Sequence, residues 1–428
     1  MSEAAALRAL LALFFLWGFL TCLNDILVPH LRSLFALSYT RAVLIPVTFF
    51  TTCFVFAPIS GIVIERLGYR RAMVAGLLTM GVGALAFLPA AQTNRFACFL
   101  IAIGMIGAGI TVLQAAATPY VSFLGPPETA PSRFSLVLAF NSLGTMVAPL
   151  FGGWFILRTP ADFLPLTGQN TLSLANRALS INMLRGPYLF LGCTLVLLAA
   201  ALALSGLPQM RTAPAPPPSQ VPVKSVFRHG PLVFGAITAF LYAGAEVGIG
   251  SFLVNYLSQP GILGVNRHDA ALLATFYWGG AVVGRFFGWR LLQSWRAETT
   301  LAAVSTAAGL LVGISVTGHG IVAAVALLSV GLCNAMIVPI VVMLAISGLG
   351  PLTTRATSMM VAANIGAGLV PLGIGMLADR VGVHHALAPI VICYAAVLYY
   401  ALRGSRGNLL PPHKKDGAAI ADIASPLW

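Results

Sequence analysis

Charged residues are scarce in this sequence of 428 residues. Only 8% of the residues are Asp, Glu, Lys or Arg and 58% are hydrophobic, whereas soluble domains carry about 25% charged residues. The 24 basic and 11 acidic residues leave a net charge of +13. The basic residues form no cluster interleaved with aromatic side chains, so nucleic acid is excluded as a partner. The composition indicates a protein whose surface faces a lipid bilayer.

The sequence also lacks the motifs that carry metal, redox or hydrolytic chemistry. Its six cysteines fall inside apolar segments without a C-x-x-C pair, which argues against a disulfide framework and against a metal site. Neither H-E-x-x-H nor G-x-S-x-G occurs, and acidic residues are not clustered, so a polytopic membrane enzyme is only a remote alternative. We expect no enzymatic activity, no cofactor and no metal.

Long apolar runs dominate the rest of the sequence. A membrane-spanning helix needs about 20 consecutive apolar residues, and twelve runs of this kind are present. The first run leads into Asn24 and Asp25 rather than into a small-residue cleavage site, so it is a span and not a signal peptide. The runs lie near 7–29, 42–64, 72–91, 96–123, 134–157, 186–206, 231–257, 268–293, 299–317, 319–347, 355–378 and 386–402.

A polar, Pro-rich stretch separates the first six runs from the last six. We therefore predict an N-terminal six-helix bundle over 1–206, a cytoplasmic linker over 207–230, a C-terminal six-helix bundle over 231–402 and a cytoplasmic tail over 403–428. Most Lys and Arg residues fall on one side if both termini are cytoplasmic, as the positive-inside rule requires. The predicted location is the inner, cytoplasmic membrane of a bacterium.

The two bundles are related by an internal duplication. Several polar and proline positions recur at an offset of about 220 residues, and the same offset carries Asp25 onto Glu246, an acidic residue of the seventh run. Two pseudo-symmetric bundles are the layout of a transporter built from repeats. The matched pairs are Gln114 with Asn334, Pro119 with Pro339, Arg133 with Arg355, Asn141 with Asn364 and Pro149 with Pro371.

Asp25 and Glu246 are acidic residues inside apolar spans. An ionised group in the bilayer costs several kcal/mol, so it persists only where it is paired, lined by water or reversibly protonated. We predict a proton-handling or substrate-binding role for Asp25, the alternative being a structural bond to a neighbouring helix. Glu246 is predicted to accept a sugar hydroxyl or to be a second proton site, the alternative being a structural pair with Arg285.

The loop after the second run, 61–71, resembles the loop motif of the major facilitator superfamily. The resemblance implies gating, and the alternative is an ordinary basic cytoplasmic loop. Shorter echoes occur at Gly284 and Arg285 after the eighth run and at 378–382 after the eleventh. The predicted gating residues are Gly61, Glu65, Arg66, Gly68, Arg70, Arg71 and Arg285.

Within this superfamily the chain resembles the fucose/galactose/glucose–proton symporter family, in segments 14–19, 23–30, 113–126, 140–145, 148–153, 242–256, 277–280 and 284–286. The resemblance implies an all-α integral membrane protein with twelve transmembrane helices, alternating access and proton-driven sugar uptake. Asp25 falls on the proton-linked aspartate and Asn141 on a sugar-cavity position. Gln114 replaces a glutamate of fucose permeases, and Thr118 replaces an asparagine, which favours glucose or galactose.

Sugar chemistry gives the same expectation without the family. Hexose hydroxyls both donate and accept, so amides and hydroxyls suit them, while a flat aromatic ring suits the C–H face. Each of these side chains has an alternative role, in interhelical hydrogen bonds or in packing. The candidate sugar-binding residues are Asn24, Gln114, Thr118, Asn141, Tyr242, Glu246, Asn255, Tyr277, Trp278, Asn334 and Asn364, with Trp17 as a further aromatic.

We therefore predict a secondary active transporter that imports a glucose- or galactose-type hexose together with a proton. A sodium-coupled or uncoupled carrier and a fucose permease are the alternatives, and a sugar sensor is a remote one. The expected partners are the sugar, protons or sodium, and the lipid bilayer, with the protein as a monomer.

Overall fold

The computed structural model describes residues 3–93, 95–124, 130–157, 184–205, 229–346, 349 and 353–404. All regular secondary structure in these residues is helical. The elements group into twelve helices, which we label α1 to α12. Residues 3–205 are called the N-terminal half, and residues 229–404 the C-terminal half.

In the N-terminal half, α1 is Glu3–Phe35, α2 is Tyr39–Ala42 with Leu44–Leu67, α3 is Tyr69–Leu85 with Phe87–Thr93, α4 is Phe96–Phe123, α5 is Ala130–Phe151 continued by Gly152–Ile156, and α6 is Arg185–Leu204. In the C-terminal half, α7 is Gly230–Leu257, α8 is Arg267–Ser294, α9 is Ala297–Thr317, and α10 is Gly320–Asn334 with Ile337–Ile346. The last two are α11, which is Thr353–Ala362, Ala363–Ile365 and Gly366–Ala386, and α12, which is Pro389–Tyr399 continued by Tyr400–Gly404.

Each predicted apolar run corresponds to one of these helices. Within the described residues, ten of the helices are long and apolar enough to cross a membrane, and α8 and α12 are not among them. The apolar part of α12 is short, at Pro389–Arg403. Helix α8 contains polar residues such as His268 and Arg285, and both of these contact α5 in the other half. Its lower hydropathy therefore reflects polar side chains that face the other half, while Phe276 and Val283 of the same helix are exposed.

Buried side chains form two clusters, one in each half. Ile26, Val43 and Leu157 of the N-terminal half join the C-terminal cluster, because the halves meet where α1 packs on α7, α2 on α11 and α5 on α8. The domain boundaries stay a prediction. Residues 206–228, which include most of the predicted linker, and the tail from residue 405 lie outside the described residues.

The duplication is visible in how the helices cross. A Cβ built on Gly144 would lie 2.1 Å from the carbonyl oxygen of Phe15, and one on Gly366 would lie 2.0 Å from that of Phe240. The α1–α5 and α7–α11 crossings thus use the same backbone contact. Matching Phe15 with Phe240 carries Asp25 onto Gly250, and Glu246 lies about one helical turn before that position. The alignment of Asp25 with Glu246 is therefore displaced by one turn in the structure.

Candidate functional site

Asp25 lies at the contact between the two halves. It is only 5% exposed, and its Oδ1 accepts a 2.9 Å hydrogen bond from the hydroxyl of Ser251 on α7. A Cβ built on Gly250 would lie 2.8 Å from Oδ2 of Asp25 and 3.1 Å from a ring carbon of Trp278, so the absence of a side chain at Gly250 lets the carboxylate approach α7. Pro29 has no N–H and cannot bond the Asp25 carbonyl, as a helix would require.

Three predicted sugar-binding residues have buried side-chain atoms without a hydrogen-bond partner among the described residues. These atoms, Nδ2 of Asn24, Oγ1 of Thr118 and both amide atoms of Asn255, bond no other group in the part of the chain that the structure describes. A buried polar group left unpaired costs about 1–3 kcal/mol, so such groups are rare unless they serve a ligand or water. They are the residues best suited to bind a polar substrate.

Asn141 and Gln114 occupy different environments. The Asn141 Nδ2 donates to the Phe14 carbonyl at 3.1 Å and lies against Gly18, so this amide joins α5 to α1. Interhelical bonding, the alternative role for this residue, therefore accounts for its nitrogen. Gln114 is half-buried on α4, one turn before Thr118.

Asn334 lies at the centre of a hydrogen-bonded group of three buried tyrosines. Its Oδ1 accepts from the Tyr394 hydroxyl at 2.7 Å, its Nδ2 donates to the Tyr277 hydroxyl at 2.9 Å, and its backbone oxygen accepts from Tyr242 at 2.8 Å. The amide is satisfied by protein groups and is 2% exposed. The structure therefore favours a structural role for Asn334 over direct sugar binding.

Asn334 is the last residue before a break in α10. Pro339 cannot donate to the Ala335 carbonyl, and the helix is interrupted after Asn334 and resumes at Ile337. Asn364 is half-buried in the 3₁₀ segment that interrupts α11. Asn334 and Asn364, the amides of the C-terminal half that the duplication matched, thus lie at helix breaks, as in transporters with discontinuous helices.

Glu246 is half-buried beside this tyrosine group. Its carboxylate interacts with the Tyr242 hydroxyl and lies within electrostatic range of Arg285. The Tyr277 hydroxyl also donates to the backbone oxygen of Glu246 at 3.3 Å. Trp278 packs edge-on against Tyr277, with 5.1 Å between ring centroids. The C-terminal half therefore presents one carboxylate among aromatic side chains.

Arg285 was predicted to lie after the eighth span, but it lies inside α8, more than two turns before the helix ends at Ser294. Its guanidinium contacts the Ser142 hydroxyl and the Leu138 carbonyl of α5. The sequence placed it in a loop because a glycine and an arginine repeat the loop motif locally. The contact with α5 depends on a helix that is distant in sequence.

The loop motif forms a tight turn between α2 and α3. Gly68 has φ +76°, which only glycine adopts easily. Arg70 donates to the carbonyls of Leu202 and Ala203 near the end of α6. Nothing lies within 4 Å of a Cβ built on Gly61, so this glycine is not at a close helix contact in the structure. The remaining members, Glu65, Arg66 and Arg71, are exposed.

Four residues that contact the predicted site residues or join the two halves were not predicted as site residues from the sequence. Ser251, Ser142 and Tyr394 are single hydroxyl groups in apolar runs, and no pattern distinguishes them from packing residues. Asp379 was noted only as an echo of the loop motif. It lies at the other end of α2, where it contacts Tyr39 and Thr40.

Comparison with known proteins decides the family. Residues 9–371 match the sequence profile of the Major Facilitator Superfamily. The chain belongs to this superfamily. Its members are transporters and not enzymes, and the twelve-helix membrane fold predicted from the sequence is confirmed.

Relatives place the chain more finely within the superfamily. It is 40% identical over 401 residues to a glucose/galactose transporter of Brucella abortus, covering 94% of each chain. It is 36% identical to a putative glucose/galactose transporter of Helicobacter pylori, covering 94% of this chain and 97% of that one. The chain thus belongs to the fucose/galactose/glucose–proton symporter family, in its glucose/galactose branch.

A solved structure of the family supports the fold. FucP, the Escherichia coli fucose:proton symporter, has been crystallised in its outward conformation. The chain is similar to it with a TM-score of 0.68 and 27% identity, covering 96% of this chain and 100% of FucP. The similarity extends over the full length of the FucP chain, which supports the transporter fold.

Proposed function

We propose that this protein imports a glucose- or galactose-type hexose across the bacterial cytoplasmic membrane by alternating access, together with a proton. The observation that carries the proposal is Asp25, a buried carboxylate at the contact between the halves that is bonded to Ser251. Two relatives named as glucose/galactose transporters support the substrate class. Both termini are proposed to be cytoplasmic and the protein to act as a monomer.

The environment of Asp25 gives the coupling a physical reason. When the halves close over it, an ionised carboxylate loses its water and becomes costly, whereas a protonated one does not. Proton binding therefore permits closure of the outer side. Release of the proton to the cytoplasm restores the charge and favours reopening of the contact, which returns the carrier to its starting state.

The sugar is proposed to bind between the halves, near their contact. The unpaired groups of Asn24, Thr118 and Asn255 are suited to pair with its hydroxyls. Gln114 and the side-chain oxygen of Asn141 are further proposed sugar-binding groups in the N-terminal half. Glu246 is proposed as an acceptor or second proton site in the C-terminal half, with Trp278 against the C–H face.

Purified protein in liposomes tests this function. Radiolabelled glucose, galactose and fucose are offered with and without an inward proton gradient, in sodium-containing and sodium-free buffer. Gradient-driven accumulation of glucose or galactose supports the proposal. Fucose accumulation, in line with the similarity to FucP, would make it a fucose permease instead. Sodium dependence, or equal uptake without a gradient, would remove the proton from the mechanism.

A further inference from the structure

An eight-residue pattern occurs twice in the chain, at 61–68 in the loop motif and at 375–382 around its echo in α11. In both copies a glycine is followed by an acidic residue, an arginine and a second glycine at the same spacing. The second glycines, Gly68 and Gly382, have nearly the same backbone conformation, with φ +76° and ψ 165° in one and φ +81° and ψ 158° in the other. The copies are Gly61, Glu65, Arg66, Gly68 and Gly375, Asp379, Arg380, Gly382.

The two copies stand at opposite ends of α2. The first copy occupies the last two turns of α2, which ends at Leu67, and its second glycine is the residue after the helix. In the second copy, Asp379 of α11 accepts hydrogen bonds from the backbone N–H of Tyr39 at 2.6 Å and of Thr40 at 2.9 Å, in the first turn of α2. The Thr40 hydroxyl also donates to it, at 2.6 Å. Since α2 and α11 belong to different halves, these three bonds cross between the halves.

The helices around these bonds are closely packed. A Cβ built on Gly375 would lie 2.5 Å from Val43 and 3.2 Å from the Thr40 Cα, and one on Gly368 would lie 3.2 Å from the Val47 Cα. The first glycine of the second copy is therefore required for α11 to lie against α2. At the first copy, a Cβ on Gly61 would meet nothing within 4 Å. In this structure the first glycine of the second copy lies at a close contact between α11 and α2, and that of the first copy lies at no such contact.

We infer that Asp379 is a further functional residue of the transport cycle, which holds the end of the molecule that carries the α1–α2 connection closed by capping the first turn of α2. The inference rests on the proposed transport function. A carboxylate that accepts from first-turn N–H groups satisfies donors that the helix leaves unpaired, and it also complements the helix dipole. These bonds break when α11 separates from α2, so their strength sets the balance between the closed and the open state of this end.

Replacing Asp379 should shift that balance by a predictable amount. Loss of a helix-capping carboxylate corresponds to about a 2- to 25-fold change in an equilibrium constant. The Thr40→Val variant removes one of the three bonds and keeps the side-chain shape, so it should give a smaller shift in the same direction. Asp379→Glu keeps the charge and should retain part of the effect.

The reporter is a cysteine at Val43, which is fully buried between α2 and α11. In the Val43→Cys protein, reconstituted in vesicles, a membrane-impermeant maleimide is applied to each side in turn, with the unsubstituted chain as background. The labelling rate from the side of the α1–α2 connection measures how often this end opens. The expected result is a rate increased about 2- to 25-fold by Asp379→Ala or Asp379→Asn, and less by Thr40→Val.

Asp269 provides the matched control. It is an exposed acidic residue in the first turn of α8, and its carboxylate accepts from Asn266 of the same half at 2.9 Å. Asp269→Asn should leave labelling of Val43→Cys unchanged. An unchanged rate in Asp379→Ala, or an equal increase in Asp269→Asn, would overturn the inference. Thr40→Val keeps the test decisive if the Asp379 variants do not fold.

This measurement separates the inference from the proposed function. Labelling is recorded without sugar, so the effect of Asp379 does not depend on which substrate is carried. Glucose, galactose and fucose are then added to the Val43→Cys protein in which Asp379 and Thr40 are unchanged. If Asp379 variants shift the labelling rate but no hexose changes it, the gating role stands and the hexose assignment fails. If hexoses change the labelling rate but Asp379 variants do not, the hexose assignment stands and the gating role of Asp379 fails.

Discussion

The Ser251 hydroxyl donates a 2.9 Å hydrogen bond to Oδ1 of Asp25, and this bond joins the first helix of one half to the first helix of the other. By the helix-crossing alignment, Asp25 corresponds to Gly250, the neighbour of Ser251 and a residue that Asp25 contacts. Pseudo-symmetric positions that touch must lie near the axis that relates the halves. The carboxylate is thus placed where movement of one half against the other changes its surroundings most directly.

Asp25→Asn should abolish concentrative uptake and leave sugar exchange measurable. The amide occupies the same volume and can still bond Ser251, but it carries no exchangeable charge through the cycle. The accumulation ratio should fall to its equilibrium value under an imposed proton gradient. Counterflow in preloaded liposomes is the matched measurement, and full concentrative uptake by Asp25→Asn would contradict the proton role.

Ser251→Ala should slow concentrative uptake about 2- to 12-fold, because a hydrogen bond to the neutral carboxyl group contributes about 0.5–1.5 kcal/mol. Ser251→Thr keeps the hydroxyl and should restore most of the rate. Ser305 is a suitable control, since it is also buried but bonds the Leu301 carbonyl of its own helix. Equal losses in Ser251→Ala and Ser305→Ala would show a general packing effect instead of a role at Asp25.

Asn334→Ala should destabilise the protein while leaving the KM of the surviving carriers nearly unchanged. It leaves the buried Tyr394 hydroxyl without the acceptor to which it donates, at about 1–3 kcal/mol. It also removes one of the two bonds of the Tyr277 hydroxyl, which still donates to the Glu246 carbonyl. Tyr394→Phe removes only the bond to the Asn334 side-chain oxygen and should lose less stability. Thermal unfolding in detergent, followed by circular dichroism, checks both. A raised KM with unchanged stability would return Asn334 to the sugar site.

Asn255→Ala should raise the KM without lowering stability, the opposite of the result expected for Asn334→Ala. Both amide atoms of Asn255 are buried and unpaired among the described residues, so their removal relieves a cost instead of creating one. Stability should be unchanged or slightly higher, and the KM for glucose should rise about tenfold, as expected for one lost hydrogen bond to the substrate. Wild-type KM in Asn255→Ala would argue that this amide does not bind sugar.

The sequence by itself determined the twelve helices and the relation between the two halves. A span of about 20 apolar residues is a local property, so hydropathy alone located helices such as α4, predicted and observed at 96–123. The recurrence of polar and proline positions showed the duplication for the same reason. Even the carboxylates Asp25 and Glu246 were found from their local cost in an apolar run.

Only the tertiary structure decided which polar groups meet. Asn334 and Asn255 look alike in the sequence, yet one is bonded by tyrosines from α8 and α12 and the other is unpaired. Arg285 and Asp379 repeat a loop motif locally, but their partners Ser142 and Thr40 come from the other half. A hydrogen bond depends on distance and direction in space, and these contacts join residues more than a hundred positions apart, which no local pattern records.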